Sequence, residues 1–372
     1  MTKKIVEMDS EVKNKIEKTA EIIWNDIKVK EPPVLRIPVR GRSNIFFDEE
    51  KNQILLKNPE KFLRRNFMNV AHSKKFMQTL HIANYCYQNL LKEGLHCTIR
   101  DLYYAFARSV ENSTENVWDD QRESNSCIED LEIMLGSIRE QLHLNADPKG
   151  MVVGPAVFVD HFAGQDIVIE LDKQGSGGWA IPSNVEHLEF KEVDVDYVLV
   201  VEKSAAFDRL NEDMFWKKNN CLLIATKGQA ARGARRLIQR LSMEKSLPIY
   251  VVTDADGYGW YIYSTIKFGS MKLAYLTDLL ATPAAKFLGV SLTDLYERGL
   301  EKQLMPAEDQ DLKRTRELMD YAWFKKPEWQ TELKKALETK KKGEIEAFTR
   351  LNLRYLTNVY LPEKIENKEF LP

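Results

Sequence analysis

The sequence predicts a multidomain α/β protein, in which a mostly helical region precedes a region where strands and helices alternate. Three observations support this prediction. Helical patterns fill residues 62–144, apolar segments that end in acids recur between residues 194 and 276, and helical patterns separate those segments. Such alternation favours a parallel sheet with helices on both faces. The length of 372 residues also exceeds that of one ordinary domain.

Residues 1–61 are predicted to form an N-terminal extension. Apolar residues recur at helical spacing up to about Trp24, at Val12, Ile16, Ile22 and Ile23. The prolines of the following segment, EPPVLRIPVR, exclude a helix and favour extended chain. We expect this extension to be too small for an independent domain and to dock on a partner.

Residues 62–160 are predicted to form a winged-helix domain, because short helical patterns precede the strand-like segment VVGPAVFV. Candidate helices span residues 76–91, 98–107 and 126–142. The third has an apolar stripe, and Ser126 with Glu129 fits a capping box at its start. Its acids Glu129, Asp130 and Glu132 suit a helix N-terminus and are a poor choice for a DNA groove. Residues 161–193 are predicted to be a connecting segment.

Residues 194–372 are predicted to form an α/β domain with a helical C-terminal region. Glu202 ends the apolar segment YVLVVE, and Asp254 and Asp256 follow IYVVT. A turn or capping role explains Glu202 alone, but functional residues gather at the carboxyl ends of parallel strands. Three close carboxylates repel each other unless a cation lies among them. Oxygen-only ligands suit Mg²⁺, which the sequence therefore predicts at this site.

A basic block without acidic residues extends from Met214 to Met243, although the net charge of the chain is only -2. An amphipathic helix is predicted within it. The residues expected to contact DNA phosphates are Lys227, Arg232, Arg235, Arg236 and Arg240. Phosphate contacts position DNA without reading its sequence. A solvated charged face remains the alternative interpretation.

Other patterns narrow the class of protein. The four cysteines include no C-x-x-C pair, so a zinc site or disulfide framework is not predicted. The N-terminus lacks the apolar core of a signal peptide, and no apolar run reaches the length of a membrane span. We therefore expect a cytoplasmic, nucleoid-associated protein. The chain has no G-x-x-x-x-G-K-[ST] motif, so any ATP hydrolysis is expected from a partner.

Glu202 after one strand and DADGYG after a later one resemble a Toprim domain. Three segments, TIRDLYYAF, GGWAIPSNVE and DADGYGWYIYSTIKFGS, occur in that order and resemble the A subunits of DNA topoisomerase VI. The meiotic double-strand-break proteins are eukaryotic relatives of that family. The similarity spans Thr98 to about Leu276. It implies a type IIB topoisomerase component that relaxes and decatenates duplex DNA through a transient tyrosyl-linked double-strand break.

The resemblance implies that Tyr104 is the nucleophile and that Arg100 assists it. Tyr103 is the reserve candidate if the register differs by one residue. A free phenol has a pKa of about 10 and needs a positive neighbour or a base to attack phosphorus. On a helix, Arg100 would share a face with Tyr104 and could bind the phosphate bidentately. Without the resemblance, two adjacent tyrosines would indicate packing.

The resemblance also implies the partners. Two copies pair, so that the tyrosine of one meets the acids of the other, and an ATPase B subunit completes a two-plus-two heterotetramer. The N-terminal extension is the candidate docking site for that ATPase. Three alternatives stay open: a break-forming recombination protein, a Toprim metal-dependent nuclease that uses water, and a non-catalytic DNA-binding scaffold.

Overall fold

The computed structural model describes residues 3–107 and 114–372. Its α-helices, in chain order, are α1 (Lys3–Lys28), α2 (Val70–Tyr85), α3 (Ile99–Phe106), α4 (Gln121–Leu135), α5 (Ser204–Glu212), α6 (Phe215–Lys218), α7 (Arg232–Glu244), α8 (Gly257–Lys267), α9 (Thr277–Leu280), α10 (Leu292–Glu297), α11 (Asp309–Asp320), α12 (Pro327–Thr339) and α13 (Leu361–Glu366). Its strands are β1 (Val34–Pro38), β2 (Ile45–Asp48), β3 (Gln53–Leu56), β4 (Phe62–Asn66), β5 (Cys97–Thr98), β6 (Leu144–Asn145), β7 (Met151–Val153), β8 (Ala156–Phe162), β9 (Gln165–Glu170), β10 (Trp179–Ala180), β11 (Leu188–Val193), β12 (Tyr197–Val201), β13 (Cys221–Ala225), β14 (Ile249–Val252), β15 (Lys286–Gly289), β16 (Met305–Pro306) and β17 (Lys341–Lys342).

The chain divides into two compact units whose boundaries differ from those predicted. The first takes its residues from 1–44, 56–147 and 161–165, and the second from 45–55, 148–160 and 166–372. The predicted N-terminal extension is therefore split. In the first unit β1 pairs antiparallel with β4, whereas in the second Ile54 of β3 donates its backbone N–H to the carbonyl oxygen of Phe268. Backbone pairing with distant segments places the two parts of the extension in different units.

The first unit is mostly helical around one apolar core. Val12 and Ile16 of α1 are buried there, together with Leu102 of α3 and Leu131 of α4. The N-terminal helix is therefore part of this core and not a free appendage. Within the described residues, no helix is both long enough and apolar enough to cross a membrane.

Helix α4 begins five residues before the predicted start. The Asp120 side chain accepts hydrogen bonds from the backbone N–H groups of Arg122 and Glu123, at 2.7 and 3.3 Å. The helix ends at Leu135, where Gly136 adopts a left-handed φ of 57°. The predicted cap between Ser126 and Glu129 is wrong, because the helix has already begun at Gln121. The apolar stripe itself is buried as predicted.

The acids of α4 are structural and do not mark a helix start. Asp130 is buried and binds the guanidinium groups of Arg40, at 2.8 Å, and Arg65. Glu132 is also buried and accepts the backbone N–H of Arg139 at 2.7 Å. Buried carboxylates require such partners, and here those partners come from segments outside the helix.

A six-stranded sheet forms the centre of the second unit, in the order β10-β7-β13-β12-β14-β15. The predicted parallel sheet is confirmed, because β12 pairs in parallel with β13 and β14, and β14 pairs in parallel with β15. All residues of β12 and β13 are buried, so both faces of the sheet are covered. The fold is therefore a mixed α/β fold with a parallel core.

The strand order of the sheet reverses at β12. The chain passes from β12 to β13 on one side and then crosses to β14 on the other side. Ligands in open α/β sheets bind where the strand order reverses, beyond the carboxyl ends of the strands. Residues 161–193, predicted as a connecting segment, contain strands β9 to β11, of which β9 and β11 flank β8 in a separate three-stranded sheet.

Candidate functional site

The predicted acidic residues lie together at this reversal point. Glu202 follows β12 directly, and Asp254 follows β14 after one residue. Because Val201 and Val252 are paired across these parallel strands, the two acids leave the sheet side by side. The Glu202 carboxylate accepts the backbone N–H of Asp254 at 3.2 Å. The sheet register thus brings together residues that are 52 positions apart in sequence.

Asp256 is held at the start of α8. Its Oδ1 accepts the backbone N–H groups of Tyr258 and Gly259, at 2.9 and 2.7 Å, so it caps the helix. Gly259 has no room for a side chain, since a Cβ there would lie 2.3 Å from the carbonyl oxygen of Asp254. The DADGYG turn is therefore compact because its glycines lack side chains.

Burial raises the pKa values of all three carboxyls, and the charges of neighbouring acids raise them further. The pKa of Glu202 rises to about 7, first through burial and then through the charges of Asp254 and Asp256. Burial raises the pKa of Asp254 to about 6, although the hydrogen bond from Lys203 opposes this. Burial likewise raises the pKa of Asp256. The site therefore resists ionisation of all three groups unless positive charge is supplied.

Lys203 supplies one positive charge. Its Nζ lies 2.9 Å from Oδ2 of Asp254, 2.9 Å from Oε2 of Glu346 and 3.3 Å from Oε2 of Glu344. The other Asp254 oxygen, Oδ1, accepts the backbone N–H of Ile345 at 2.9 Å. Sequence analysis missed Glu344 and Glu346, because they are some 90 positions from Asp254 and no local pattern links them to it.

The donor set fits a divalent cation in chemistry and charge. Oε1 of Glu202 and Oδ2 of Asp256 have no hydrogen-bond partner within the described residues. Carboxylate oxygens are the preferred ligands of Mg²⁺. Yet over residues 3–107 and 114–372, no group of three or more His, Cys, Asp or Glu side chains is arranged to hold a metal ion. One of the three acids, Asp254, is instead paired with Lys203 at 2.9 Å.

The candidate nucleophile lies on α3 of the first unit. Thr98 and Asp101 form a reciprocal capping box: the Thr98 hydroxyl accepts the N–H of Asp101, and the Asp101 carboxylate accepts the N–H of Thr98, both at 3.0 Å. The Tyr104 side chain is 60% exposed, whereas Tyr103 packs against the core. Arg100 is exposed on the same helix. This exposure favours Tyr104 over Tyr103 for attack on a macromolecule.

The predicted basic stripe of α7 is only partly exposed. Arg235 and Arg240 are buried, and Arg236 is half-buried with its guanidinium on the carboxylate of Glu186. Arg240 donates to the carbonyl oxygen of Leu188 at 3.0 Å and also pairs with a carboxylate of its own helix. The prediction that these residues face DNA is wrong for Arg235 and Arg240, because both guanidinium groups are directed into the second unit.

Two of the basic residues predicted to contact DNA are more exposed than the buried arginines of α7. Lys227 is exposed in the loop after β13, and Arg232 is half-exposed at the first position of α7. These two side chains therefore lie where a phosphate could reach them, whereas the buried arginines stabilise the second unit.

The first unit also has an apolar groove of about 400 Å³ beside α1. Side chains from α1, including Ile23, Trp24 and Ile27, form one wall, and residues of α2 and α4 form the other. Trp24 is 57% exposed. A large aromatic side chain left open to solvent beside other apolar groups is typical of a protein-binding surface.

The raised pKa values predict that divalent-metal binding releases protons. Without such an ion, the contribution of Glu202 and Asp254 to the free energy of unfolding should fall as pH rises from the ordinary carboxyl range to about 7, because these groups ionise less readily in the folded than in the unfolded chain. A bound cation offsets the free-energy cost of ionising these carboxyls in the folded protein. The Mg²⁺-induced rise in unfolding temperature should therefore be larger above about pH 7 than below about pH 5.

Calorimetry at both pH values measures this difference. The Glu202→Gln variant is the control, since it should reduce the dependence of the unfolding temperature on pH near pH 7, where Glu202 ionises. An equal Mg²⁺-induced rise at both pH values would contradict the assignment.

Models of three protein families match consecutive parts of the chain. Residues 74–144 match a model described as type IIB DNA topoisomerase, and residues 149–194 match the all-beta domain in DNA topoisomerase VI alpha subunit. Residues 197–365 match the Toprim domain shared by Spo11 and the A subunit of topoisomerase 6. Tyr104 lies within the first match, and Glu202, Asp254 and Asp256 lie within the third.

Curated relatives are similar over nearly the whole chain, and each is named as the A subunit of type 2 DNA topoisomerase 6. The protein from Pyrococcus abyssi is 46% identical, covering 97% of this chain and 95% of its own length. The Hyperthermus butylicus protein is 42% identical, with 95% and 94% covered. The Methanocaldococcus jannaschii protein is 37% identical, with 96% and 95% covered. With its Toprim domain and this end-to-end similarity, the chain belongs to the family of type 2 DNA topoisomerase 6 A subunits.

Proposed function

We propose that this chain is the DNA-cleaving component of a type IIB DNA topoisomerase, which relaxes and decatenates duplex DNA through a transient double-strand break. One observation carries the proposal. An exposed tyrosine on a capped helix and a cluster of acids at a strand-order reversal lie within matched topoisomerase family regions of one chain. This combination supplies a nucleophile and an electrostatic site for phosphoryl transfer.

The first unit is proposed to be the winged-helix, DNA-binding part. Its short helices α2, α3 and α4 pack around one core, and the cap at Thr98 fixes where α3 begins. This arrangement directs Tyr104 and Arg100 outward. A capped helix that presents both side chains is suited to meet a phosphate of the DNA backbone.

The reaction is an exchange of phosphoesters. The Tyr104 phenol oxygen forms a bond to a backbone phosphorus and loses its proton, while the bond from phosphorus to the 3′ oxygen breaks and that oxygen gains a proton. Arg100 binds the non-bridging oxygens of the same phosphate. The product is a tyrosyl ester at a DNA 5′ end. Because one phosphoester replaces another, the reverse reaction reseals the strand without further energy.

Glu202, Asp254 and Asp256 are proposed to hold Mg²⁺. When bound, the ion supplies positive charge to the phosphate and to the departing oxygen. The chain's own residues orient this site: α8 fixes Asp256, and the β12–β14 register fixes the backbones of Glu202 and Asp254. Because the pKa values of Glu202 and Asp254 are raised, a bound cation would stabilise their ionised forms at neutral pH.

Two copies of the chain are proposed to pair, so that Tyr104 of one acts at the acids of the other. Two such composite sites would cut both strands. Lys227 and Arg232 are proposed to contact DNA phosphates, and such contacts give little sequence preference. Arg236 could also contact a DNA phosphate, but only if it first breaks its ion pair with Glu186.

An ATP-hydrolysing partner is proposed to dock at the α1 groove. The relatives are named as A subunits, which supports the existence of a companion chain. The groove is apolar and open at Trp24, which suits an amphipathic helix of that partner. The assembly would be a heterotetramer of two cutting and two ATPase chains, acting on double-stranded DNA.

The Tyr104→Phe variant tests the cleavage proposal. Protein, ATPase partner, Mg²⁺, a nucleotide and supercoiled DNA are mixed and then denatured, and DNA-linked protein is measured. The unaltered chain should become covalently attached to DNA, and Tyr104→Phe should lose the adduct because it lacks the attacking oxygen. Tyr103→Phe is the matched control and should keep it. An adduct that persists in Tyr104→Phe would refute the assigned nucleophile, and cutting without any adduct would indicate a water-using nuclease.

Substitution of Trp24 tests the docking proposal. Trp24→Ala should weaken co-purification with the ATPase partner at least about tenfold, since buried aromatic anchors dominate interfaces. Ile22→Ala is the control, because Ile22 is exposed on the same helix but outside the groove. Equal retention of the partner by both variants would place the docking site elsewhere.

A further inference from the structure

The Lys203 ammonium lies between two groups of acids. On one side is Asp254, which belongs to the proposed metal site, and on the other are Glu344 and Glu346. The Lys203 side chain is only 25% exposed, so it does not move freely in solvent. It is thus a confined positive charge that is paired with both groups of acids at once.

A divalent ion and this ammonium would compete for the Asp254 carboxylate. Oδ1 of Asp254 already accepts the backbone N–H of Ile345, and Oδ2 faces Lys203. An ion bound by Glu202, Asp254 and Asp256 needs an Asp254 oxygen directed toward it. Because two cations on one carboxylate repel each other, binding of the divalent ion should weaken the contact between Lys203 and Asp254.

We propose that Lys203 is a displaceable counter-ion of the acidic site, which yields Asp254 to a divalent metal ion and is then retained by Glu344 and Glu346. This inference rests on the proposed metal site and adds a positioning residue to it. Before the ion binds, Lys203 offsets the negative charge of the acids. After the ion binds, Lys203 stays close enough to contact a bound phosphate.

The retaining carboxylates are fixed to the same loop as Asp254. Gly343 and Ala255 exchange backbone hydrogen bonds in both directions, at 2.8 and 3.1 Å. Ile345 is buried and donates its N–H to Asp254. Glu344 and Glu346 therefore flank a residue that is anchored to the acidic site. Lys203 can release Asp254 by a side-chain rotation and keep two ionic partners without any movement of the backbone.

Metal titration of the full-length protein tests the proposal, with Mn²⁺ as the probe and the dissociation constant as the readout. Lys203→Met removes the competitor and should tighten Mn²⁺ binding at least about tenfold. The same variant should have a lower unfolding temperature without Mn²⁺, because the acids lose a positive partner. Mn²⁺ should then raise the unfolding temperature more than it does in the unaltered chain, because the ion supplies the missing positive charge.

Lys342→Met is the matched control for loss of charge. Lys342 is similarly exposed, at 20%, and binds Asp311 at 2.8 Å, so it influences Asp256 through charge alone. It should tighten Mn²⁺ binding much less than Lys203→Met. Equal tightening by both variants, or none by Lys203→Met, would overturn the role proposed for Lys203.

The double variant Glu344→Gln, Glu346→Gln tests the same proposal independently and can be used if Lys203→Met folds poorly. Removing the retaining carboxylates should weaken Mn²⁺ binding, because Lys203 then has only Asp254 as a partner. The same pair in the Lys203→Met background should weaken binding less. Equal effects in both backgrounds would overturn the proposal. If the unaltered chain binds no Mn²⁺ that depends on Asp254, the metal site fails, and this inference with it.

Discussion

The repulsion among three buried carboxylates is the constraint on which the rest of the second unit depends. The register of β12 and β14 places Glu202 and Asp254 side by side, and the cap of α8 adds Asp256. Burial, together with the neighbouring negative charges, raises the pKa values of Glu202 and Asp254 and so disfavours their ionised forms. Lys203 and the N–H of Ile345 offset part of the repulsion, and a divalent ion would offset the remainder.

The first unit supplies the proposed nucleophile, and the second unit supplies the proposed metal ligands. In the second unit, β12 and β13 are buried on both faces, and the register of β12 with β14 places Glu202 beside Asp254. In the first unit, the capping box at Thr98 fixes the start of α3, and Tyr104 projects into solvent. A nucleophile that must reach a bulky duplex is better exposed, whereas metal ligands are better enclosed. The difference in burial between Tyr104 and Asp254 follows from these roles.

The sequence predicted features that depend on local patterns. Apolar runs ending in acids indicated the parallel strands and the gathering of Glu202 with Asp254, because strand ends meet at one edge. Contacts between distant segments were not predictable. The amphipathic pattern of α7 showed a charged face but not the carbonyl groups that bind Arg240. Likewise, Asp130 has the position of a helix-start acid in the sequence but is buried and paired with Arg40 and Arg65. No pattern pointed to Glu346.

The central claim is that the acids at the ends of β12 and β14 hold one shared cation. Anomalous diffraction from crystals soaked in Mn²⁺ tests it most directly, because it locates the ion without relying on activity. The account predicts a peak within ligand distance of Glu202, Asp254 and Asp256, with the Lys203 ammonium turned to Glu344 or Glu346. A peak elsewhere, or an Asp254 still paired with Lys203 in fully soaked crystals, would contradict it.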